Sequence, residues 1–106
     1  MRYLCLSHRL PGADAAEIAA LLRDEARAVW DLYAEGIARE AHFDRRAGKG
    51  VLMLECDDDE QVARALARLP LVARGLIGFD IHPLSPFANL ALLFAEPTTP
   101  SREDNQ

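Results

Sequence analysis

The chain has 106 residues and a net charge of −5, with a pI near 5.1. That length suits one domain, and the acid surplus disfavours general nucleic-acid binding, because phosphate neutralisation needs clustered Lys and Arg. With 50% hydrophobic and 27% charged residues, the composition excludes disorder over most of the length.

Lys49 is the only lysine. Cys5 and Cys56 cannot by themselves make a disulfide framework or a zinc site. No apolar run reaches the roughly 18 residues of a transmembrane helix. The first apolar run stops at Ser7-His8-Arg9, too short for a secretory signal. A cytoplasmic protein without membrane association is expected.

Strand formers fill residues 2–10, and Pro11-Gly12 ends them. Asp14 followed by Glu17 has capping-box spacing, opening an amphipathic helix over 14–35 that Gly36 stops. Ile37 to Arg46 reads as a second strand. Ala47-Gly48-Lys49-Gly50 is turn chemistry, and Val51 to Cys56 completes a hairpin. The acidic run Asp57 to Glu60 favours a helix start, and a second helix spans 59–68. Pro70 ends it, with one more turn over 71–76. Ile77 to Leu84 is the fourth strand. The order β-α-β-β-α-β predicts a ferredoxin-like α+β fold with a four-stranded antiparallel sheet and helices on one face. The uncovered sheet face predicts a homodimer or larger homo-oligomer. Residues 1–96 form the domain. Within them, 87–94 is an apolar segment expected to dock on its own helices or on a partner subunit. The polar stretch 97–106 is expected to be mobile.

On the first helix, Ile18, Leu21, Leu22, Val29, Leu32 and Tyr33 share a stripe with Glu25 near its middle. Burial raises a carboxyl pKa, which suits proton transfer near neutral pH, so Glu25 is a catalytic candidate; a stripe-edge acid paired with Arg is the plainer alternative. On the second strand Glu40, His42 and Asp44 alternate to one face, and on the fourth Asp80, His82 and Leu84 do so. These sets are expected on the open sheet face, joined by Tyr3, Cys5 and Ser7. His42 and His82 are catalytic candidates there; Tyr3, Ser7, Arg39 and Asp80 are substrate-binding candidates. His8 shares a face with Leu4 and Leu6 and reads as an ordinary strand-end residue. No histidine pair has metal-motif spacing, and no Walker, dinucleotide or G-x-S-x-G pattern occurs, so neither metal nor cofactor is expected.

The chain resembles the muconolactone Delta-isomerase family over about residues 1–87. The matching features are Leu10-Pro11, Asp24-Glu25, Glu35-Gly36 with Arg39 beyond, Leu69-Pro70-Leu71, and Phe79 to Leu84 running into Ser85-Pro86. The family's strand ending in Trp-Arg is replaced here by Arg39-Glu40-Ala41-His42-Phe43. The resemblance implies a dimeric α+β barrel and cofactor-free acid-base chemistry on a small carboxylated lactone. It assigns Glu25 an acid-base role and matches Arg39 to a family arginine. The leading reading is an isomerase of aromatic-compound catabolism, with Glu25 or His42 as base and His82 or Tyr3 as acid or oxyanion partner. The alternative is a small-molecule-binding or assembly module without turnover.

Overall fold

A computed structural model describes residues 1–96. The tail expectation for 97–106 lies outside the described residues. The elements are β1 (Arg2–Arg9), α1 (Ala15–Ala34), β2 (Ala38–Phe43), β3 (Gly50–Glu55), α2 (Asp59–Ala67), α3 (Pro70–Ala73) and β4 (Ile77–Leu84). A short 3₁₀ helix, Ala88–Leu93, follows. All strand pairs are antiparallel, in the order β2-β3-β1-β4. This is the ferredoxin-like α+β arrangement that the sequence predicts.

The punctuation acts where expected, with two differences in detail. Gly36, at φ 82, takes the left-handed turn that ends α1, and its N–H donates to the Tyr33 carbonyl. The Asp14 side chain accepts from the Ala16 N–H, but Glu17 does not complete a capping box. Instead Glu17 accepts from Arg74 Nη2 at 2.8 Å, tying the start of α1 to the end of α3. β2 stops at Phe43 rather than Arg46. Asp44 accepts the Arg46 and Gly48 N–H groups and so converts the expected strand end into a turn.

The core lies between the sheet and the helices. Tyr3, Cys5, Ala38, Leu52 and Leu54 line its sheet side; Leu32, Val62, Ala65, Leu66 and Leu69 come from the helical layer. Register fixes this side. Tyr3 faces Leu54, Cys5 faces Leu52, and Leu54 faces Ala38. Directly opposed residues share a face. Tyr3, Cys5 and Ser7 therefore point toward the helices, and the expectation that they join the open face is corrected. β1 is an inner strand with apolar residues on both sides, so its alternation has no polar phase to mark the outside.

The two thiols are buried and reduced. Cys5 sits opposite Leu52, whereas Cys56 exchanges backbone hydrogen bonds with Met1. Four residues of strand, about 13 Å, separate those positions, beyond disulfide reach. Burial, with a smaller contribution from Cys56, pushes the Cys5 thiol up to about 11.

The α1 stripe is narrower than its sequence suggests. Leu32 is fully buried, and Ala28 and Val29 pack beside it. Leu22 and Tyr33 are more than half exposed and do not belong to the core.

Candidate functional site

The open face of the sheet is built from the second phase of each strand. Across one row stand His42, Val51, Leu6 and Asp80; across the next stand Glu40, Met53, Leu4 and His82. Leu4, Leu6, Val51 and Met53 are half-buried and form an apolar strip along the inner strands. Polar groups flank it on both outer strands. On β2, His42 Nε2 lies 3.1 Å from Glu40 Oε1. On β4, Asp80 Oδ2 lies 3.6 Å from His8 Nδ1, close enough for an ion pair once the imidazole is charged. His8 stands opposite Gly78, and a Cβ there would lie 3.0 Å from His8 Nε2. The glycine makes room for the ring. His8 Nδ1 is buried without a hydrogen-bond partner, leaving one imidazole nitrogen uncommitted.

All three histidines of the chain thus lie on one face, two of them beside carboxylates. The sequence places His42, His82, Glu40 and Asp80 on this face. It misses His8, because reading Leu4 and Leu6 as core residues puts His8 on the wrong side. The signal that identifies it is Gly78, a glycine within a strand beside a bulky partner. Imidazole is the side chain suited to carrying protons near neutral pH, and a nearby carboxylate orients its ring. Such pairs can take a proton from carbon and return it elsewhere.

The remaining candidates lie elsewhere. Glu25 is half-buried in the helical layer, where Oε1 accepts the Leu71 N–H at 2.9 Å. Leu69, the residue that opens α3, supplies no side-chain cap. Glu25 takes that role from another helix. Burial raises its pKa, and the Leu71 N–H opposes the rise. The sheet stands between Glu25 and the histidines, so no relay joins Glu25 to His42 or His82 within one subunit. Ser7 Oγ accepts the Gly50 N–H at 2.7 Å and holds the start of β3. Tyr3 is 1% exposed. Its hydroxyl pKa is raised first by burial and then by the Asp59 carboxylate. Tyr3, Met1, Pro83 and residues 57–60 line an open depression on the helical side. Arg39 is exposed at the β-bulge between Ala38 and Glu40 and forms no salt bridge among the described residues. Among these residues no three His, Cys, Asp or Glu side chains gather as metal ligands, and no helix is long and apolar enough to cross a membrane.

No family model and no curated protein matches the chain. Among solved structures it is similar to 5-chloro-2-hydroxyhydroquinone dehydrochlorinase from Burkholderia phenoliruptrix AC1100, in complex with 2,5-dihydroxybenzoquinone. Identity is 14%, the TM-score is 0.64, and the match covers 80% of this chain and 94% of the other. The chain has the dimeric α+β barrel fold.

The geometry of Glu25 sets a testable expectation. Gln keeps an oxygen that can accept from Leu71 but removes a charge that burial disfavours. Because folding raises the Glu25 pKa, its contribution to stability is fullest below the ordinary carboxylate range and is lost as pH rises through the raised value. Glu25→Gln should therefore leave the melting temperature unchanged or raise it near neutral pH. The gain should vanish toward about pH 4. A sharp fall near neutral pH would show that the charge itself is needed.

Proposed function

We propose that the protein is a cofactor-free acid-base enzyme acting in a reducing cytoplasm on a small ring carbonyl compound, such as a carboxylated lactone. It would work as a homodimer joined through its open sheet faces. The observation that carries this reading is the gathering of His8, His42 and His82 on one face with Asp80 and Glu40. The dihydroxybenzoquinone bound to the structural neighbour supports a planar, oxygenated ring as ligand.

Within one subunit, His42 and Asp80 are three strand spacings apart, roughly 14 Å. One substrate cannot touch both. Packing about a two-fold axis parallel to the strands would lay the β2 margin of one subunit against the β4 margin of its partner. His42, oriented by Glu40, then serves as base. His82, or His8 oriented by Asp80, returns the proton. The apolar strip between the margins excludes water and strengthens these interactions.

Proton exchange tests this directly. A carboxylated lactone incubated with the protein in deuterium oxide should lose the NMR signal of the hydrogen next to its carbonyl. His42→Gln and His82→Gln should each slow the loss by about 10²-fold or more. If the protein binds the lactone or 2,5-dihydroxybenzoquinone but does not accelerate exchange, a binding module without turnover is the better reading; if it accelerates exchange and no histidine change alters the rate, the histidines are not the proton carriers.

A further inference from the structure

Two apolar surfaces are left uncovered by the described residues. The first is on α1. Ala19, Leu22, Ala26, Trp30 and Tyr33 fall within an arc of about 80° at 100° per residue. Leu22, Trp30 and Tyr33 are 52%, 61% and 55% exposed. The Trp30 and Tyr33 rings lie with centroids 5.4 Å apart and so form one aromatic plate. The second surface is the arm 87–94. Phe87, Leu90, Leu92, Leu93 and Phe94 are all more than half exposed. No residue of the 3₁₀ helix is buried, and among the described residues the arm makes no extensive contact with a helix or strand of its own chain.

We propose that the arm of one copy docks on the α1 aromatic stripe of a second copy. Both surfaces emerge at the same end of the subunit. β4 ends with Leu84 opposite Arg2, which in turn pairs with Glu55. α1 ends beside the same place, since the Ile37 carbonyl accepts the Glu55 N–H. Two copies meeting at these ends can exchange arms reciprocally, as an isologous contact requires. The chemistry matches as well. Both surfaces are aromatic and aliphatic, and residues 85–96 carry one charge, Glu96. A membrane surface recruits basic residues, and this arm has none. This contact is separate from the pairing of open sheet faces and does not depend on it.

Trp30 is the only tryptophan, so its emission reports on the stripe alone. In the full chain at high concentration, Trp30 should emit at short wavelength and resist iodide quenching, and dilution should reverse both. Changing Phe87, Leu90 and Phe94 together to Asp should expose Trp30 at every concentration and reduce the assembly size by light scattering. Leu22→Arg, on the stripe itself, should do the same while leaving the arm intact. A Leu6→Arg chain, altered only on the sheet face, should retain the concentration-dependent protection. The proposal is overturned if Trp30 is equally accessible at all concentrations. It also falls if Trp30 is protected but indifferent to the arm changes, which would mean another occupant.

Discussion

Leu6→Arg should abolish the pairing of sheet faces, and combined with the Asp changes at Phe87, Leu90 and Phe94 it should leave a monomer of 11.7 kDa. Leu6 stands at the middle of the apolar strip, opposite Val51 on one side and Asp80 on the other. Each such side chain that a partner sheet covers contributes roughly 1.5–3 kcal/mol relative to exposure. Arg removes that contribution and places a charge between two sheets, where an unpaired ion costs several kcal/mol more. Asp80, directly opposite on β4, can pair with part of that charge, but the bulk and desolvation of an Arg between the sheets remain. Light scattering at micromolar concentration checks the expectation. A dimer of the arm-altered chain that survived Leu6→Arg would move the subunit contact to another surface and remove the two-subunit site. Exchange activity should disappear along with the dimer, since each margin carries only part of the proton machinery.

Leu54→Ala should cost about 2–5 kcal/mol, a large share of the 5–15 kcal/mol that holds a domain of this size. Leu54 is fully buried on the core side of the sheet, between Tyr3 and Ala38. Its neighbours are strand residues fixed by ladder hydrogen bonds, so they cannot move in to fill the space. Thermal unfolding followed by circular dichroism should show a melting temperature lower by about 15 °C. A fall of only a few degrees would mean that the helical layer collapses onto the sheet after the deletion.

The element order was legible because glycine, proline and acidic punctuation separate the segments cleanly. Pro11-Gly12, Gly36, the 47–50 turn and the run 57–60 each mark a boundary that backbone geometry then respects. The phase of β1 was not legible. Tyr3 and Cys5 alternate with Leu4 and Leu6, and both pairs are apolar: the first packs on the helices and the second forms the strip of the open face. The outer strands were read correctly, since His42, Glu40, Asp80 and His82 alternate with apolar residues. Glu25 was found as a perturbed acid, but periodicity cannot tell an acid aimed at a ligand from one capping a neighbouring helix. Only the Leu71 N–H settles its contact. The exposed Trp30 and Tyr33 plate was hidden for a similar reason, because an apolar stripe on a helix looks the same whether its partner is the core or another chain.

The strand order also bears on how the protein is made. β1 leaves the ribosome before the other strands of its sheet, yet it is an inner strand, and β4 pairs with it along its whole length from Arg2–Leu84 to Arg9–Ile77. Until residue 84 is synthesised, β1 keeps one edge of unpaired amide and carbonyl groups beside apolar side chains on both of its faces. A nascent chain in that state is a template for pairing with other chains. The sheet therefore closes only after β4 has been made, through pairings far apart in sequence, which slows folding. Interrupted translation products that stop within α2 or α3 would contain the whole hairpin and the first helix and still be unable to complete the sheet.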